Sequence, residues 1–284
     1  MMRFTYYALA IGLAFAVLAY CEQEMRFLRI AHSHSNIEHS TELAWKSLWE
    51  KLSFSIYSGA SESRSKTNDL LTAAARRHVL AKNCAATFFA ATCVFLIAQY
   101  RRTRSAKNYF DQELAIDILA ISAVCFIVGL IAPIFSLKAY TAVPLLGEVV
   151  LKFEAKSILT TITSLIESRS HFTALLITAF SVVTPLLKLV IALLVLQRRW
   201  PNWHRHGLSV MHAIGKWSMA DVFVVSVFVA YFAARGDSFS DARVELGLYY
   251  FSGYCLLSLF TGHIIGHLSS QAEFLKTQSF AECD

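Results

Sequence analysis

The sequence predicts an all-α polytopic membrane protein with about six transmembrane helices and a small strand-containing segment outside the membrane. Three observations carry this. Hydrophobic residues make up 56% of the 284 residues and charged ones only 16%, against roughly 45–50% and about 25% in soluble domains; the mean hydropathy is +0.48. With 11 Gly and 4 Pro, turn-making residues are scarce and the elements are long. Apolar runs close to the ~20 residues that a helix needs to cross a bilayer recur along the chain. An ordinary soluble enzyme, a disordered tail and a small disulfide scaffold are excluded. The net charge of +6 sits beside the apolar runs and forms no basic stripe interleaved with aromatics, so no nucleic-acid partner is expected.

The runs are Phe4–Tyr20, Ala85–Tyr100, Leu114–Phe135, Phe172–Leu196, Trp217–Ala234 and Leu246–Gly266. The second is short and could begin near Val79. Arg101, Arg102, Arg104 and Lys107 lie between the second and third runs, and Arg198, Arg199, Arg205 and Lys216 between the fourth and fifth. Basic short loops stay in the cytoplasm. That orientation places both termini inside, and Cys21–Cys84, Ser136–His171 and Arg235–Glu245 outside. The first run, preceded by Arg3, has the look of a signal peptide. No Ala-x-Ala site follows, and Tyr20 before Cys21 suits lipoprotein cleavage poorly, so a retained anchor is expected and cleavage is the alternative.

The outward segments differ in character. Ile37, Thr41, Ala44, Leu48 and Leu52 recur at helical spacing, with a break at His32-Ser33-His34-Ser35-Asn36 and a turn at Gly59-Ala60-Ser61-Glu62-Ser63. A second helix from Asn68 into the second run completes a helical hairpin on the outer face. Ser136–Leu151 carries Pro144 and Gly147 among Tyr140, Val143, Val149 and Val150, which suits short strands. Ile158, Leu159, Ile162 and Leu165 then mark an amphipathic helix over Ser157–Ile166.

The sequence carries few chemical signatures. No phosphate-binding Gly-rich loop, H-E-x-x-H or G-x-S-x-G occurs. The six Cys, at 21, 84, 93, 125, 255 and 283, form no C-x-x-C, which excludes a zinc ribbon. Cys93, Cys125 and Cys255 fall inside spans as packing residues. Cys21 and Cys84 flank the outer hairpin; they are either two thiols in apolar surroundings or a bridge stapling its base. His32 and His34 are loosely placed. His263 and His267, four apart, share a helical face without an evident third ligand. The chain is therefore expected to be no enzyme and to hold neither metal nor cofactor.

Charges inside the apolar runs are more informative, because an ionisable group in a membrane is expensive and tends to face a bundle interior and pair. Lys188 lies about 12 Å from the inner end of the fourth run and Asp221 about 9 Å from Gly215. These antiparallel neighbours can therefore meet at one height. Asp117, Ser218, Ser258 and Thr261 reach the same inner layer, which could hold protons or a lipid head group. Ser218-x-x-Asp221 is also a helix-start pattern, and Lys188 could instead snorkel to the interface. Pro185 weighs against that alternative, since proline inside a span frees a carbonyl near Ser181.

At Thr184-Pro185-Leu186-Leu187-Lys188 and at Gly215-Lys216-Trp217-Ser218-Met219-Ala220-Asp221-Val222-Phe223-Val224-Val225 the chain resembles the paraquat-inducible protein A family, with a weaker likeness at Ala132-Pro133-Ile134-Phe135. The resemblance covers about Leu114–Leu268. It implies a four-span module of tetraspanin-like or claudin-like arrangement in the Gram-negative inner membrane, acting beside MCE-domain proteins in lipid traffic and envelope integrity. It also implies a polar transport site of Lys188, Ser218 and Asp221, to which Thr184, Pro185 and Asp117 are added here. Longer members carry two modules and zinc ribbons, whereas this chain has one module and no ribbon, so a homodimer or another subunit could supply the second. The expected organisation is a two-span hairpin with its arm over 1–113, the module over 114–268 and a cytoplasmic tail over 269–284. The expected function is an inner-membrane subunit that passes membrane lipid to a periplasmic MCE-domain partner; the alternative is a non-transporting scaffold or stress-response factor that anchors a partner complex.

Overall fold

The computed structural model describes residues 2–33, 59–104, 110–143, 147–196 and 240–281. The expected helix around Ile37–Leu52 and the expected span Trp217–Ala234 lie outside these residues. The elements are α1 (Met2–Ser33), α2 (Gly59–Arg104), α3 (Phe110–Ile131), β1 (Phe135–Val143), β2 (Gly147–Lys156), α4 (Ile158–Glu167), α5 (His171–Leu196), β3 (Ser240–Val244) and α6 (Leu246–Ala281). Helices over Arg3–Ala31, Asn68–Arg102, Glu113–Ile131 and His171–Leu196 are long and apolar enough to cross a membrane, so the chain is a helical multi-pass membrane protein with a small sheet.

α1 and α2 are longer than a bilayer requires. Their 32 and 46 residues extend about 48 and 69 Å at 1.5 Å per residue, against a hydrocarbon thickness of about 30 Å. They pack antiparallel: Tyr6 stacks on Phe95 at 3.9 Å between ring centroids, and farther along Arg77 lies over the Tyr20 ring at 5.8 Å. α1 ends at Ser33, inside the stretch expected to break it. The Gly59–Ser63 segment, expected as a turn, is instead the start of α2. Glycine is penalised in a helix interior far more than at its first position, and Ala and Ser continue a helix readily.

α3 is shorter than expected at its far end. It stops at Ile131 because Pro133 cannot donate to the helical ladder, and Ile134 and Phe135 turn into the sheet. The sheet order is β2-β1-β3, all antiparallel, with Phe135 opposite both Lys156 and Val244 and a bulge at Ala139/Tyr140. The hairpin matches the expected strands. β3 was not expected from Ser240-Asp241-Ala242-Arg243-Val244, which is short and poor in β-formers. It forms because β1 has a second edge whose backbone groups need partners. α4 starts on a capping box in which the Ser157 hydroxyl accepts from the Thr160 amide and the Thr160 hydroxyl from the Ser157 amide.

α6 runs antiparallel to α3 from the sheet inward. Gly247 lies against Ala132 and Pro133, Gly129 against Phe251, Phe126 against Tyr254, and Ile264 against the Ala115–Leu119 cluster. It therefore covers the same depth as α3. Its Tyr250, Tyr254, Ser258 and Thr261 are turned inward and buried, while Leu256, Leu259 and Phe260 are exposed. One apolar core joins α1, α2, α3 and α6; the expected divisions at 113/114 and 268/269 fall inside α3 and α6. Cys21 and Cys84 are both free thiols beside that core, so the hairpin carries no bridge.

Candidate functional site

α5 is an interrupted helix. Pro185 has no amide hydrogen, and ahead of it the helix widens into a π turn over Ala179–Val183. The Thr184 amide and hydroxyl both donate to the Ala179 carbonyl, the hydroxyl at 2.9 Å. Thr184, expected in the polar site, thus spends its donor on shaping the helix. π turns of this kind concentrate at functional sites.

Beyond the π turn, Pro185, Lys188, Ala192, Val195 and Leu196 form the buried stripe of α5. Leu186, Leu187, Val190, Leu193 and Leu194 are exposed and apolar, as a lipid-facing surface demands. Lys188 is only 8% exposed. Its stem lies on the protein side, not along the lipid side, which the snorkelling alternative would require.

The level of Lys188 follows from its neighbours. Ala192, Val195 and Leu196 pack with Ala115 and Leu119 of α3. α3 ends at the sheet and α5 leads away from it, so one turn back along α5 and one turn on along α3 lie at the same height. Lys188 occupies the first position and Ser122 the second. On α6, Ser258 and Thr261 fall between Tyr254, which meets Phe126, and Ile264, which meets the Ala115–Leu119 cluster. Ser122, Lys188, Ser258 and Thr261 are all buried. The Thr261 hydroxyl donates to the Leu257 carbonyl at 3.0 Å. The Ser122 hydroxyl, fully buried, has no hydrogen-bond partner among the described residues. Sequence reasoning did not single out Ser122, because serine is ordinary in a span. Ser218 and Asp221 lie outside the described residues.

Asp117 belongs to a different group. It is 4% exposed, and three donors converge on its carboxylate: the Tyr7 hydroxyl at 2.7 Å, Gln99 Nε2 at 3.0 Å and the Arg3 guanidinium at 3.3 Å. Arg3 also pairs with Glu113 at 2.8 Å. The structure therefore corrects the expectation that Asp117 faces the Lys188 layer. On a helix, two residues are about 200° apart, so Asp117 takes the α1–α2 side while Ala115 and Leu119 take the α5 side. Asp117 ties the first two helices to α3. The Arg3, Tyr7 and Gln99 partners carry no sequence signal, since they come from two other helices.

A second buried polar group stands at the sheet end. His78 Nδ1 lies 3.0 Å from Glu24 Oε1, 3.1 Å from Oε2 and 3.9 Å from Glu245 Oε2. The Ser136 hydroxyl donates to Glu245 Oε1 at 2.7 Å.

Comparison with known proteins follows the same half of the chain that carries the Lys188 layer. The family model described as Paraquat-inducible protein A matches residues 118–267, more than half of the sequence. No curated protein and no solved structure matches the chain.

Proposed function

The chain belongs to the paraquat-inducible protein A family, and on that premise we propose that it is an inner-membrane subunit of an envelope lipid-transport system. In this reading the layer around Lys188 handles a lipid and passes it to a periplasmic MCE-domain partner. Both termini are cytoplasmic, the sheet faces the periplasm, and no catalytic step is required. The single observation that supports this most is Lys188 itself. It is a cation on the protein-facing stripe of an apolar helix, next to a π turn and level with buried hydroxyls from two other helices. Burying an ammonium in a bilayer is costly enough that such groups mark substrate or ion pathways, and a phosphate head group is the anion that a membrane supplies. Ser122 adds a donor at that level.

The test is lipid co-purification with complementation. Lys188→Ala and Asp221→Asn should retain wild-type membrane levels, lose bound anionic phospholipid by mass spectrometry and fail to rescue a deletion strain under envelope stress. Full rescue by Lys188→Ala with unchanged bound lipid would refute the transport site and leave the scaffold reading. Impermeant cysteine labelling at Ser61 but not Asn202 in intact cells is the expected orientation, and the reverse pattern would invert it.

A further inference from the structure

We infer that Glu24, His78 and Glu245 form a divalent-cation site that clamps the N-terminal helix pair to the family module. The three residues come from α1, α2 and the junction between β3 and α6, and a ligating atom from each lies within 4.8 Å of the others. The spacing suits a metal. Ligands about 2.0–2.1 Å from a tetrahedral zinc stand roughly 3.3 Å apart, and the His78 nitrogen lies 3.0 and 3.9 Å from the two carboxylates.

Charge points the same way. Glu24 and Glu245 are each 7% exposed, and buried charges are kept by pairing or by coordinating a metal. Two carboxylates and a neutral imidazole make an anionic donor set of the kind that a divalent cation neutralises. One nitrogen and carboxylate oxygens, with no thiolate, is a donor set for zinc and other first-row divalent ions.

The site is also held in shape. The Glu245 amide donates to the Ile134 carbonyl at 2.9 Å. The Ser136 hydroxyl takes Oε1, leaving Oε2 as the oxygen nearest His78. The His78 side chain is 27% exposed, which gives an ion a way in from solvent. Glu245 lies inside the matched module and Glu24 and His78 outside it, so the ion would join parts that sequence comparison separates. The inference stands apart from the lipid reading and from Lys188.

The experiment uses the full chain, purified in detergent through a tag without histidine and stripped with chelator. Wild type should bind one Zn2+ per chain by calorimetry and elemental analysis, with a rise in melting temperature. Glu24→Gln, His78→Gln and Glu245→Gln should each lose more than about 100-fold in affinity, and Ser136→Ala, which removes only a supporting hydrogen bond, about 10–100-fold. His263→Ala should bind as wild type does. X-ray absorption of the zinc-loaded wild type should show nitrogen and oxygen ligands without sulfur, a reading that needs no variant to fold. Absence of stoichiometric binding, sulfur in the ligand set, or unchanged affinity in the folded variants would each overturn the site.

Discussion

Gly129→Ala should destabilise the protein through one backbone-to-backbone collision. A Cβ at Gly129 would stand 2.8 Å from the Phe251 amide nitrogen and 2.9 Å from its Cα, whereas nonbonded carbons are comfortable at about 3.5–4.0 Å. The obstructing atoms belong to the backbone of α6, so no rotamer relieves them, and α3 and α6 must separate by roughly 1 Å. Membrane helices associate by close van der Waals packing at small residues, not by a hydrophobic force between them, so this separation is lost directly from the seam. Overpacking costs about 1–3 kcal/mol. Gly12 and Gly262 have nothing within 4 Å of the equivalent Cβ position among the described residues. Alanine there collects only the helix-propensity gain of about 1 kcal/mol, which Gly129→Ala shares. The controls therefore cancel propensity and isolate the collision. In a thermal melt followed by intrinsic fluorescence in one detergent, Gly129→Ala should melt roughly 2–12 °C below Gly262→Ala, taking about 2–4 °C per kcal/mol for a chain of this size. Equal melting temperatures, or a higher one for Gly129→Ala, would mean that the two helices do not approach as described.

Three further outcomes follow from single contacts. Asp117→Asn replaces an acceptor of three donors by a group that itself donates, which should cost about 1–3 kcal/mol and release α1 to limited proteolysis; wild-type resistance would dismiss the Asp117 hub. Thr184→Val removes the hydroxyl bond to the Ala179 carbonyl and should cost about 0.5–1.5 kcal/mol, with Thr184→Ser restoring the melting temperature. Ser157→Ala breaks the capping box of α4 and should cost about 1 kcal/mol, read as faster amide exchange over the first turn of that helix than in wild type.

The membrane class, the positions of most helices and the presence of Lys188 within an apolar helix were legible in the sequence, for a local reason. Apolar run length decides whether a segment can lie in a bilayer, and a lysine within such a run stands out against its neighbours. The hairpin at Ser136–Leu151 and the helix at Ser157–Ile166 were legible too, because Pro144, Gly147 and the Ile158–Leu165 spacing are short-range signals. Partnership was not legible. Asp117 was recognisable as a charge in an apolar run but its azimuth was unknown, and only the packing of α1 and α2 against α3 turned it toward Arg3, Tyr7 and Gln99. β3 has no strand signal of its own and exists because β1 offers it an edge. Cys21 and Cys84 bracket the outer hairpin in sequence, yet α1 runs on past Cys21 to Ser33 and α2 begins well before Cys84, so neither cysteine marks the end of a helix. Glu24, His78 and Glu245 are unremarkable one at a time. Their meeting depends on how three distant segments pack, and periodicity along one chain reports the phase of each helix but not which neighbour that phase will face.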